Sequence, residues 1–140
     1  MEFNTAHKKA DDFLQGAANY RGESNNEMVA FMLQQAAELI IRGLITALSG
    51  NCPKTHYFNE LKKPLKRCLP ALDYIISKNE TEEQRLLHIL EKAYLESRYS
   101  NEYKIVNADI DLLSEAIELL YDRAEILFKE RIAVIVNSNF

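Results

Sequence analysis

The chain of 140 residues has no tryptophan, only two cysteines, three prolines and four glycines, and no surplus of basic charge. So little glycine and proline leaves scant material for the tight turns of an all-β fold, which favours helices before any pattern is read. Cys52 and Cys68 stand in no CxxC spacing and read as free thiols, not as a bridge or a zinc site. With 17 Lys and Arg against 21 Asp and Glu, the formal charge of -4 argues against broad binding to nucleic acid, which needs many phosphates neutralised. No uninterrupted apolar stretch approaches the roughly 20 residues of a membrane span. The start, Met1-Glu2-Phe3-Asn4, lacks the basic-then-apolar layout of a signal peptide, so the expectation is a cytoplasmic protein without a membrane part. No glycine-rich phosphate loop, metal-spaced cluster or nucleophile triad is present, and no catalytic residue, metal or cofactor is assigned.

What is present is apolar: 47% of the residues are hydrophobic, enough to close one core, so residues 1–140 are expected to form a single domain. Ala6, Ala10, Phe13, Leu14 and Ala17 recur at helical spacing and predict a first helix from an Asn4 cap to Tyr20, ended by Gly22. A second helix is expected from Asn26 to Ser49, capped by the preceding polar run and stopped by Gly50. The stretch Asn51 to His56 reads as a turn around Pro53. From Tyr57 to Ser77, Pro64 and Pro70 each remove a backbone donor, so two or three short helical pieces are expected. Thr81 and Gln84 have capping-box spacing for a fourth helix with Leu86, Leu90, Ala93 and Ser97 on one face, stopping near Tyr99. After a link from Ser100 to Val106, Asn107 is expected to cap a long last helix on Ile110, Leu113, Ile117, Leu120, Ala124 and Leu127, with Asn137 to Phe140 frayed. Leu112, Leu119 and Ile126 widen its apolar face and imply a second neighbour, such as another subunit.

The second helix is apolar around most of its circumference, from Met28 and Val29 through Ile40, Ile41 and Leu44 to Leu48, which marks it as central. The remaining sector collects Gln34, Gln35, Glu38, Arg42 and Ser49. Glu38 and Arg42 stand one turn apart in the favourable order, so a direct ion pair is expected. A polar group buried there without a partner would cost about 1–3 kcal/mol. The stripe therefore either reaches solvent, or satisfies itself, or lines a cleft or subunit seam that receives a polar ligand.

The strings Phe31-Met32-Leu33-Gln34-Gln35-Ala36-Ala37-Glu38, Arg42, Gly50, Pro53-Lys54-Thr55-His56 and Ser97-Arg98-Tyr99-Ser100-Asn101-Glu102-Tyr103 resemble the HEPN family, named for nucleotide binding in higher eukaryotes and prokaryotes. The resemblance is closest to HEPN domains fused to, or encoded beside, minimal nucleotidyltransferases, and it spans nearly the whole chain. It implies an all-α, up-and-down bundle of four to five helices that forms homodimers. Many HEPN proteins are metal-independent ribonucleases with an arginine and a following histidine separated by four to six residues; others bind nucleotides or serve nucleotidyltransferases as partners. Here none of His7, His56 and His88 has an arginine at that distance, and the nearest imitation, Arg98 with four residues intervening, ends on Tyr103. Tyrosine, with an unperturbed pKa of about 10, is a poor acid or base near neutral pH. The expectation is accordingly a non-catalytic, dimeric HEPN domain that binds a nucleotide or supports a nucleotidyltransferase. The alternatives are an RNase toxin using Arg98 and a tyrosine, with RNA as substrate, and a plain interaction module.

Ligand-binding candidates are Gln35, Glu38 and Arg42 on the stripe, Lys54 and His56 in the turn, and Tyr94, Arg98, Tyr99 and Tyr103, which place a guanidinium among phenol rings at a helix end. Such a group can grip a phosphate and stack on a base, or can equally cap and pack a helix terminus. Likewise His56 can meet a phosphate or simply begin the next helix with Thr55 as its cap. Lys62, Lys63, Lys66 and Arg67 form the one concentrated basic run, and such runs are more often solvated faces. His88 points away from the Leu86 and Leu90 face and reads as a surface residue.

Overall fold

A computed structural model describes residues 2–96 and 104–138, and among them the chain is all-α. Five helices follow in order: α1 (Phe3–Gly22), α2 (Asn26–Ser49), α3 (Phe58–Cys68), α4 (Glu80–Glu96) and α5 (Asn107–Ser138). α2 packs against each of the other four. Its Val29, Ala30, Leu33, Ala36, Ala37, Ile40, Ile41, Leu44 and Ile45 are all essentially without solvent contact. By length and composition α2, with a mean hydropathy of 1.4, could cross a membrane, but 67% of that apolar window is buried inside the bundle. It is the axle of the core.

The ends of α2 follow its sequence. Asn25 accepts the Met28 N–H at 3.3 Å, and Gly50, at a φ of 80°, takes the left-handed position that an L side chain resists. Other ends differ from expectation. Asn4 lies inside α1, whose extended cap residue is Glu2 with no side-chain bond, and Gly22 stays helical while Ser24 makes the left-handed turn at a φ of 59°. The region after Tyr57 holds one helix instead of two or three, and it carries Pro64 in its interior. α4 is capped by Asn79, whose Oδ1 accepts the Glu82 N–H at 2.9 Å; Gln84 turns instead to Asn59 and Glu80, so the Thr81–Gln84 box does not form. Asn107 opens α5, but its Oδ1 accepts from Asn26 at 2.7 Å and from Arg21, tying three helix ends together. α5 runs on through Asn137 to Ser138 where fraying was expected. Ser97 and the predicted stop of α4 near Tyr99 lie outside the described residues.

Two buried polar groups hold the bundle. His7 stacks on the Tyr121 ring at 3.6 Å, and its Nε2–H donates to the Tyr121 carbonyl at 2.9 Å, joining α1 to α5. The Glu83 carboxylate accepts the N–H groups of Ile75, Ile76 and Ser77 at 2.6–3.1 Å, which satisfies the non-helical stretch ahead of α4. On α5, Ile110, Leu113, Ile117, Leu120 and Ala124 are buried as the spacing predicts, whereas Leu112, Leu119 and Ile126 are about half exposed.

Candidate functional site

The polar sector of α2 is covered by the turn that follows α2 and by the end of α4. The expected Glu38–Arg42 ion pair does not form. Arg42 reaches into the turn and donates through one nitrogen to the carbonyls of Pro53, at 2.9 Å, and Thr55, at 3.0 Å. A guanidinium offers several donors in a fixed fork, so it can hold both carbonyls of the turn, including that of Pro53, which also accepts the Thr55 N–H at 3.1 Å. The Thr55 hydroxyl in turn accepts the Tyr57 N–H at 3.1 Å, but α3 itself has no side-chain cap, so the expected Thr55 cap does not form.

That fixed turn delivers His56 to Glu38, with Nδ1 2.7 Å from Oε1. The imidazole stacks on the Tyr94 ring with centroids 4.6 Å apart, and the Tyr94 hydroxyl lies 3.3 Å from Nε2. Behind Glu38 stands the fully buried Gln34, which donates to Glu38 at 3.3 Å and accepts from Gln35 at 2.6 Å. A polar chain thus runs from Gln35 through Gln34 and Glu38 to His56 and Tyr94. Glu38 is 15% exposed and His56 55%, so the chain leads from the interior to a solvent-facing ring.

Chemically, a carboxylate on Nδ1 fixes the tautomer and leaves Nε2 as a hydrogen-bond acceptor on a ring backed by an aromatic face. Lys54, exposed and in no ion pair among the described residues, comes from the same turn. The Cys52 thiol is also close; burial raises its pKa, Arg42 opposes this and Glu38 adds to it. Gln34, placed by sequence on the polar stripe, and Cys52, read as a free thiol, were not among the ligand-binding candidates. Gln34 is recognisable only as a polar residue at a core position, and Cys52 has no spacing partner to betray it.

The structure therefore brings together Gln35, Glu38, Arg42, His56 and Tyr94, with Lys54 at the edge, while Arg98, Tyr99 and Tyr103 lie outside the described residues. The basic run is not one patch: Lys62 is drawn to Glu83 at 3.3 Å and Glu80 at 3.8 Å, whereas Lys63, Lys66 and Arg67 are exposed. Among the described residues no group of three or more His, Cys, Asp or Glu side chains could hold a metal ion.

The segments that build this site, α2, the Pro-Lys-Thr-His turn and α4, lie within residues 5–132, which match the HEPN domain family model. The chain belongs to the HEPN family. No curated protein matches it. The HEPN fold here spends its α2 arginine on two backbone carbonyls, so the outward chemistry of the site falls to His56, Tyr94 and Lys54.

Proposed function

We propose that this HEPN domain is a non-catalytic binding module for a nucleotide, acting as a homodimer and as partner to a nucleotidyltransferase. The observation that carries the reading is the exposed His56–Tyr94 pair with Glu38 behind it. A stacked imidazole and phenol give a base an aromatic surface, while Lys54 supplies charge for a phosphate in a protein that is otherwise acidic. The dimer and the protein partner come from the family resemblance. In their favour are the exposed apolar residues of α5, which a lone domain leaves in water.

Titrating ATP and GTP while following the melting temperature tests the reading, because a ligand selective for the folded state raises stability. The expected result is a saturable rise that His56→Ala and Lys54→Ala each reduce. No shift at millimolar nucleotide would refute it. Cleavage of RNA by the protein, lost in Arg98→Ala, would replace it with the ribonuclease alternative.

A further inference from the structure

Leu112, Leu119 and Ile126 follow one another at intervals of seven along α5, 46%, 52% and 57% exposed. Seven residues are nearly two turns, so the three side chains form one stripe about 21 Å long. They do not sit on a flat surface. Leu112 and Leu119 share a groove of about 260 Å³ with Ile76 and Leu86, and Glu82 and Glu115 stand at its edge.

The charged residues that line this groove, Glu82 and Glu115, are both acidic. Of the nearby cations, Arg85 is engaged with Glu82 at 2.7 Å and Asp109 at 3.0 Å, Lys129 with Glu125 at 2.9 Å and Arg123 with the Tyr74 carbonyl at 2.7 Å, while Lys78, next to the groove-lining Ser77, lies over the Tyr74 ring at 5.7 Å. Glu115, Glu118 and Asp122 enter no ion pair among the described residues, and at helical spacing all three flank the stripe on one side. The same field acts beyond the groove, where Tyr121 is raised in pKa by burial first and then by Asp11, Glu125 and Asp122.

We propose that this groove is a docking site for a basic amphipathic helix of another protein, with apolar residues at heptad spacing and Lys or Arg along one flank. The straight stripe suits a helix laid alongside α5 at a shallow angle, and Glu115, Glu118 and Asp122 suit its cations. An antiparallel second copy of this chain fits poorly, because two-fold pairing of the stripes in that sense sets those carboxylates against their own equivalents. An anionic lipid surface meets the same repulsion. This surface is separate from the His56 site, and its test does not depend on nucleotide binding.

The probe is a fluorescent model peptide of about five helical turns with leucines at heptad spacing and lysines on the flank, compared with a glutamate-flanked counterpart by anisotropy. The lysine peptide is expected to bind, to weaken with added salt, and to bind about tenfold or more tightly than the glutamate peptide. Leu119→Asp should weaken it about tenfold. That variant adds a negative charge, so a merely electrostatic attraction would tighten instead. Glu115→Lys combined with Asp122→Lys should reverse the preference between peptides. Because these residues are not buried in the core, unchanged melting curves should accompany each variant. Equal binding of both peptides, or undiminished binding by Leu119→Asp, overturns the proposal. So does self-association that Leu119→Asp abolishes, or co-sedimentation with anionic vesicles that the same variant abolishes.

Discussion

Glu83 shows how much one side chain can carry. It is 1% exposed and accepts three backbone N–H groups of the segment before α4, with Lys62 3.3 Å from its other face. Charge-assisted bonds of this kind are stronger than neutral ones, and their loss leaves buried donors unsatisfied. Glu83→Ala is therefore expected to destabilise the fold by about 3–5 kcal/mol, read as a lower urea midpoint with an unchanged slope. Glu91 gives a pH dependence. It accepts the Phe58 N–H at 3.0 Å, but partial burial raises its pKa, with the Phe58 bond and His88 opposing and Glu60 adding. A carboxyl whose folded pKa lies above its unfolded value favours folding below the unfolded pKa and loses that contribution as pH rises through the folded one. Glu91→Gln should thus remove a decline in stability just above the ordinary carboxylate range, and urea unfolding across pH 4 to 7 checks it; an unchanged pH profile would refute the assignment. Neither role was legible in the sequence, where both residues read as ordinary acidic positions of an amphipathic helix. The Glu38–Arg42 spacing was legible and misleading for a related reason: loop carbonyls carry no side-chain signature, yet they compete for a guanidinium as effectively as a carboxylate does.

At the scale of elements, α1 and α2 approach closely at Gly43, where an added Cβ would stand 2.7 Å from the Ala6 Cβ. Replacing a helical glycine by alanine ordinarily gains about 1 kcal/mol from propensity. Here the overlap must move two packed helices, so Gly43→Ala is expected to destabilise by about 1–3 kcal/mol despite that gain. Gly22, with nothing within 4 Å of its would-be Cβ, is the control: Gly22→Ala should stabilise by about 0.4–1 kcal/mol. Thermal melts of the two variants shifting in the same direction would refute the account. The elements that sequence located well, α2 and the buried face of α5, are those whose pattern is set by burial over many turns. Those it located poorly turn on single competitions. The capping-box spacing of Thr81 and Gln84 lost to Asn79 because Gln84 bonds Asn59 across the gap to α3. Pro64 suggested a break, yet Leu61 and Leu65 on either side are buried, and tertiary packing holds α3 together through the missing donor.

For the molecule as a whole, the mismatch in helix length matters most. α5 has 32 residues and α2 has 24, lengths of about 48 Å and 36 Å, so the last turns of α5 project past the core. From Ile132 onward every described residue is exposed, including Val134, Ile135 and Val136, and β-branched residues alone do not sustain a free helix end. At the root of this projection the Arg131 Nε is buried without an acceptor. A second copy pairing along the projecting end would cover the apolar residues, so this end is where the proposed homodimer is expected to form its seam. Deleting residues 133–138 removes no residue of the buried core. The deletion is expected to convert dimer to monomer in sedimentation velocity while far-UV circular dichroism keeps the helical signature of the bundle. Leu119→Asp, on the separate stripe, should leave the dimer intact. A dimer that survives the deletion would place its seam elsewhere, and a protein monomeric before any deletion would remove the dimer from the proposed function altogether.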